Sequence, residues 1–234
     1  MPQIDVMNES TVISDADVQK MILAFSQQWN MDLRPVWGVD SATFTFVPAH
    51  QMPVVGSWWL VFLDNSDQAG ALAYHDLTNE GLPISKVFVK TLIADGASVS
   101  VGATHELCEM AVDPWLNSAY QDPKGTFWAG EVCDPVESDQ YGYKIGDVLV
   151  TDFITPAWYA YQHFQGLIDF KGHIQKPFAV LAGGYAQKFG RRGWVQVNGA
   201  EVKMEHQMYA AQGSRRERRS RMIQGMQRSA VRRD

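Results

Sequence analysis

An α+β fold is predicted for residues 1–200, with a separate basic extension over residues 201–234. Three observations predict it. Short β-type runs, bounded by Gly, Pro, Asn and Asp, alternate with segments of helical period. One helical segment carries a histidine and two glutamates at turn spacing. From residue 201 onward the apolar patterning gives way to an arginine-rich stretch dotted with methionines.

A chain of 234 residues suits one domain with an appendage, and a hydrophobic fraction of 46% is enough for a real core. Eight Trp and eleven Phe point to a core or interface rich in aromatic rings. No apolar run reaches about 18 residues, so no membrane span is expected. Residues 1–9 lack a basic region and an apolar stretch, so no signal peptide is expected. The chain is therefore expected in a cytoplasm, or packaged from one. The net charge of −6 hides an asymmetry: in residues 213–234 eight arginines against Glu217 and Asp234 give +6, which leaves −12 on the rest. An acidic body with a basic tail bears on partners rather than on fold.

Taken in order, residues 14–29 are expected to form an amphipathic helix. Ser14 and Asp17 make a capping pair, and Val18, Met21, Ile22, Phe25 and Trp29 fall along one stripe. Residues 34–38 read as a turn leading into a strand over 42–47, where Phe44 and Phe46 alternate with Thr43 and Thr45. The nearly unbroken apolar run at 57–63 predicts a central strand buried on both faces. Two further strands, over 69–77 and 84–90, flank the turn at Asn79-Glu80-Gly81. His75, beside Asp76 on the first of them, reads first as a surface or packing residue, with facing the metal site as the lesser alternative.

The chain is organised around residues 96–114, expected to be one helix of about four turns. Ser98 or Ser100 can cap its start, and Pro114 ends it because the residue before a proline is pushed out of the helical region. Val101, Leu107, Ala111 and Val112 leave one face for His105, Glu106 and Glu109. At ~3.6 residues per turn His105 and Glu109 lie one above the other, so an imidazole and a carboxylate can share one divalent ion. Glu106 points to the side, where it can polarise a bound water. This is the spacing of His-Glu-x-x-His zinc hydrolases with a carboxylate in place of the second imidazole. Asp113 is a poorer ligand, because eight helical residues carry it ~12 Å along the axis from His105.

A third ligand is expected from Gly130-Glu131-Val132-Cys133-Asp134-Pro135-Val136-Glu137. Glu131, 22 residues after Glu109, is the first choice and Asp134 the substitute. If Glu131 sits in extended backbone, Cys133 shares its face. Cys133 is then brought near Cys108 on the flank of the helix. The two cysteines can be a disulfide, two free thiols or alternative ligands, and a reducing cytoplasm favours free thiols.

Between helix and loop, residues 115–120 read as irregular and 121–125 as a turn. Residues 141–154 read as a hairpin turning at Gly146-Asp147. Thr155 caps and Pro156 opens a helix holding Trp158, Tyr159, Tyr161 and Phe164. Residues 178–181, 183–185 and 194–197 are expected as short strands, with a turn at Asn198-Gly199. No Gly-x-Ser-x-Gly elbow and no phosphate-binding loop occurs, which sets nucleophilic serine and nucleotide chemistry aside.

The run His105-Glu106-Leu107-Cys108-Glu109-Met110-Ala111-Val112-Asp113-Pro114, then residues 130–137 and 152–159, resembles bacterial and bacteriophage proteins carrying His-Glu-x-x-Glu-x-x-x-Asp-Pro followed by Glu-x-x-Asp. The pattern also resembles the plant exordium proteins and their secreted bacterial relatives. The resemblance covers roughly residues 35–160 and implies a relative of zincin metallopeptidases. It implies zinc, or another divalent ion, held by His105, Glu109 and Glu131 or Asp134, with Glu106 as general base and a peptide or protein as substrate. It also implies an edge strand beside the active helix that holds extended substrate by backbone pairing, either residues 70–75 or 86–90. The alternative is a non-catalytic virion component that kept this scaffold. Its tail residues Arg215, Arg216, Arg218, Arg219 and Arg221 would then contact neighbouring subunits or nucleic-acid phosphate.

Overall fold

The computed structural model describes residues 1–49, 51–68, 70–159, 166–190 and 193–200. The expectations for the arginine-rich tail and for Tyr161 and Phe164 lie outside these. The chain opens with a strand that the sequence did not announce, β1 (Gln3–Asn8), and continues into helix α1 (Asp15–Gln27). Ser14 Oγ accepts from the Asp17 amide at 3.1 Å and donates to its carboxylate at 2.7 Å, so the capping pair forms. Val18, Phe25 and Trp29 are buried along the expected stripe.

Residues 34–38 are not a turn. The backbone widens to a π-helix over Gln28–Leu33 and runs on into helix α2 (Arg34–Trp37), where Gly38 at φ 69° closes the end. The wider ladder ahead of Pro35 accommodates a residue with no amide hydrogen to give it.

Strands β2 (Thr43–Val47), β3 (Trp58–Leu63), β4 (Ala73–Leu77) and β5 (Pro83–Phe88) follow. With β1 they make a five-stranded sheet in the order β2-β1-β3-β5-β4. Its first four members are mutually parallel and β4 is antiparallel. β3 is central, as its apolar run requires, with Leu60 and Phe62 on one face and Val61 on the other all buried. β1 escaped notice because Asp5 interrupts its apolar pattern. That carboxylate is wholly buried, accepting from the Val54 amide at 2.6 Å and the Ser57 hydroxyl at 2.8 Å. Residues 86–90 are not an edge: β5 lies between β3 and β4, and the chain turns helical at Val89. β4 forms the edge.

Helix α3 (Val89–Asp95) ends at Gly96, φ 79°, and helix α4 (Val99–Val112) follows. Ser98 holds the cap position without a side-chain capping bond. Its hydroxyl instead meets that of Ser100 at 3.0 Å, while its own amide donates to the Asp139 carboxylate at 2.8 Å. α4 packs on β4 and β5 and is buried almost all round, so it has no solvated face. Gly102 permits this: a β-carbon there would stand 2.9 Å from Leu92 Cδ1 on α3.

The second layer holds β6 (Ala119–Gln121), β7 (Phe127–Ala129), the hairpin β8 (Tyr143–Ile145) and β9 (Val148–Val150), then β10 (Tyr185–Gly190) and β11 (Gly193–Asn198). β11-β10-β7-β6 form an antiparallel sheet. β8 and β9 turn at Gly146-Asp147, as expected. After β9, Thr155 caps a single 3-10 turn, Pro156–Trp158, at the expected start of a helix. Residues 178–181 form no strand. Phe178 takes φ 60°, and the Leu181 amide donates to the Pro135 carbonyl at 2.9 Å. Trp128, Trp158, Tyr159 and Phe178 stack edge and face between the layers, with ring centroids 4.9–5.4 Å apart in contacting pairs. The architecture is thus α+β with one mixed and one antiparallel sheet, and α4 lies against the first.

Candidate metal centre

Three segments converge on one face of α4. The helix supplies His105, Glu106 and Glu109. The loop after β7 supplies Glu131 and Asp134, the latter opening a 3-10 turn over Asp134–Val136. The edge strand β4 supplies His75. All six are buried. His105 is the most exposed of the six, at 8%.

His105 Nε2 lies 3.4 Å from Glu109 Oε1 and 3.3 Å from Asp134 Oδ1. The other oxygen of Glu109 faces away from His105, 3.6 Å from His75 Nδ1. His75 Nδ1 also meets Glu106 Oε2 at 3.0 Å, and its Nε2 stands 3.8 Å from Glu131 Oε2. Two sets of ligand atoms therefore lie within 4.8 Å of one another: His105, Glu109 and Asp134, and His75, Glu109 and Glu131. These buried groups are close enough to hold a divalent metal ion.

The four expected metal residues come together, but they divide. Asp134 sits with His105, and Glu131 sits with His75. His75 is no surface or mere packing residue. Its signal lay in the edge strand: once residues 73–77 are placed beside α4, their alternate side chains face the helix, and His75 is among them. Asp113 stays apart, as its distance along the helix requires. Its carboxylate accepts from the Asn117 and Ser118 amides at 2.8 and 2.9 Å and ties down the chain after α4.

The loop is held in place by backbone. The Cys133 amide donates to Glu109 Oε1 at 3.2 Å, and the Ile154 amide donates to the Val132 carbonyl at 2.8 Å. Gly184 brings another segment against it: a β-carbon there would meet the Asp134 carbonyl oxygen at 2.7 Å and that of Pro135 at 2.9 Å. Cys108 and Cys133 are buried free thiols, and neither belongs to a metal-capable set among the described residues.

The electrostatics follow from crowding. Burial pushes the Glu109 carboxyl well above its usual range, and repulsion from Asp134 and Glu131 pushes it further. Asp134 is raised to about 6, chiefly by burial, against the opposing hydrogen bond from His105. Burial alone would lower His105, but the Glu109 and Asp134 carboxylates outweigh it and hold the imidazole well above its usual value. Burial and the neighbouring Cys108 raise the Cys133 thiol. Concentrated perturbation of this kind in one buried cluster is characteristic of functional sites.

A third set of ligand atoms, from Asp152, Asp169 and the exposed His173, lies elsewhere in the second layer. Here backbone amides meet one oxygen of Asp152 and both of Asp169. Asp152 Oδ1 accepts from Phe153 at 2.8 Å and Lys171 at 3.2 Å, while Asp169 accepts from His173 at 2.8 Å and Ile174 at 2.6 Å.

By its donor set the protein falls among chains with a buried histidine–carboxylate centre suited to a divalent ion. No protein-family model matches the chain, and neither characterised proteins nor solved structures provide a match.

Proposed function

We propose that the protein is a zincin-like, zinc-dependent hydrolase, with a peptide bond as the substrate and Glu106 as the general base. One observation carries this reading. His105 Nε2 lies 3.3 and 3.4 Å from Asp134 Oδ1 and Glu109 Oε1, spacings that ligands at ~2.0–2.2 Å from one zinc ion can span. Three protein ligands would leave a fourth position for water, as in catalytic zinc sites. Zinc held there would supply Lewis acidity and a water acidified toward neutral pH.

The chain's own residues do the rest. Glu106 follows His105 directly on α4, so the base is rigidly tied to a ligand. An ionised Glu106 can only accept, which places the proton of His75 on Nδ1 and fixes one carboxylate oxygen at 3.0 Å. The Glu106 carboxylate would take a proton from a water beside His105 and return it to a leaving amine. Strand β4, at the sheet edge next to α4, has the position from which an extended peptide pairs by backbone hydrogen bonds. Two carboxylates and one imidazole make a harder donor set than two imidazoles and one carboxylate, so manganese or another hard divalent ion is the competing occupant.

The test is a peptidase assay of the full chain on unfolded casein, with and without chelator, beside elemental analysis. Chelator-sensitive cleavage is expected. Glu106→Gln should keep the bound metal and lose turnover by at least ~100-fold, the scale of general-base contributions. A fully active Glu106→Gln protein would refute the assignment of roles. Bound metal with no turnover in the parent would favour the structural role in a virion instead.

A further inference from the structure

We infer that the centre is dinuclear, with Glu109 as a bridging carboxylate between a first ion at His105 and Asp134 and a second at His75 and Glu131. The inference rests on the metal-binding reading above and extends it to a second ion.

Glu109 carries the argument. Its two oxygens point to different partners: Oε1 faces His105 and Oε2 faces His75. Glu109 belongs to both metal-capable sets, and each set is completed by one imidazole and one further carboxylate. The sets share only Glu109. A carboxylate that presents one oxygen to each of two ions holds them at the ~3.5–4 Å separation typical of two-metal centres.

His75 supports it independently. Metal-ligating imidazoles usually donate their other ring N–H to a carboxylate, which fixes the tautomer and raises ligand basicity. His75 has this arrangement: Nδ1 meets Glu106 Oε2 at 3.0 Å, and Nε2 turns toward Glu131 Oε2 at 3.8 Å. With the proton on Nδ1, the Nε2 lone pair is directed toward Glu131.

A third observation comes from Asp134. Its Oδ1 meets His105, while its Oδ2 is buried with no hydrogen-bond partner among the described residues. A buried carboxylate oxygen in that state is costly unless a cation accepts it. Charge points the same way. Glu106, Glu109, Glu131 and Asp134 bring four negative charges if ionised, which two divalent ions cancel and one only halves. One imidazole and two carboxylates per ion suit zinc or manganese.

The experiment uses the full chain carrying His173→Ala, which removes the imidazole of the third cluster from the count. After loading with Zn(II) or Mn(II) and dialysis, elemental analysis is expected to find about two ions per chain. The Mn(II) form should show the spectrum of an exchange-coupled pair in electron paramagnetic resonance. His75→Gln should bring the content to one ion and replace the coupled spectrum with that of an isolated Mn(II). Glu131→Gln should do the same by a substitution that keeps the side chain's size, and circular dichroism checks that both variants fold. One ion per chain in the parent overturns the dinuclear inference and leaves the single-metal reading standing. Two ions that persist in folded His75→Gln and Glu131→Gln proteins also overturn it. No bound ion of either kind refutes both.

Discussion

The molecule buries two groups of carboxylates, and they are built differently. Around α4 the acidic oxygens face imidazoles and one another: His105 stands between Glu109 and Asp134, and His75 between Glu106 and Glu131. In the second layer Asp152 and Asp169 face backbone amides, four of them within 3.2 Å. Amides are fixed, neutral donors that fold with the chain, so the second group closes on itself and ties residues 152–154 to 169–174. Imidazoles are titratable and can ligate a metal, so the first group is one that a cation can complete. Burial is similar in the two, and the identity of the facing donors decides which is a knot in the chain and which is a centre.

The sharpest way to break this contrast is to remove one carboxylate from each group. Glu109→Gln removes a charge and a donor shared by both ligand sets. Zinc affinity, measured by competition with a chromogenic chelator, is expected to fall by more than ~100-fold, beyond the range seen for residues that merely orient ligands. Asp169→Asn should leave zinc affinity within about twofold and act on stability instead. Equal loss of zinc affinity in both variants would erase the distinction. A smaller effect probes the frame of the centre. Gly184→Ala places a β-carbon 2.7 Å from the Asp134 carbonyl oxygen, and backbone cannot yield there as a flexible side chain would. Overpacking of this kind costs about 1–3 kcal/mol, to be read from urea unfolding. The same shift in Asp134 should weaken zinc binding. Wild-type stability in Gly184→Ala would show that residues 183–184 are not packed against the loop.

The contrast also explains what the sequence could and could not say. The spacing of His105 and Glu109 is a property of one helix, so it was legible from the letters alone. Glu131 and Asp134 were legible as acidic residues following an apolar helix, though not which of them meets His105. That choice depends on the 3-10 turn over Asp134–Val136 and on its contact with Gly184. His75 required knowing which strand lies at the sheet edge, a tertiary fact with no local signal. β1 was hidden for a related reason: Asp5 is tolerated in a buried strand only because Val54 and Ser57 donate to it from across a loop. The run at 57–63 was plain, because a strand buried on both faces needs no partner to explain its composition. Phe178 packs on the Trp158 and Trp128 rings rather than pairing in a sheet, and composition does not separate the two uses.

The last test concerns pH, and it probes the amide-bound group from within. Burial, and then the neighbouring Asp169, raise Asp152 from an ordinary value of 3.8 to about 9. The folded chain therefore keeps a proton on Asp152 across a range where the unfolded chain has lost it. Below the unfolded value both states are protonated, and the site's contribution is present in full. As pH rises from about 4 toward about 9, the folded state binds the extra proton and stability falls, by at most about 1.4 kcal/mol per unit. Asp152→Asn keeps a donor toward Asp169 but cannot titrate, so it should flatten this slope and leave the variant the more stable form near pH 8. Urea unfolding at several pH values, in the presence of chelator, measures it. Parallel pH profiles for the two proteins would mean that the carboxyl pair does not hold its proton. A steep gain in stability for the parent on adding zinc, lost in Asp152→Asn, would mean that this group also takes a cation. The difference between four amides and two imidazoles would then not be what separates knot from centre.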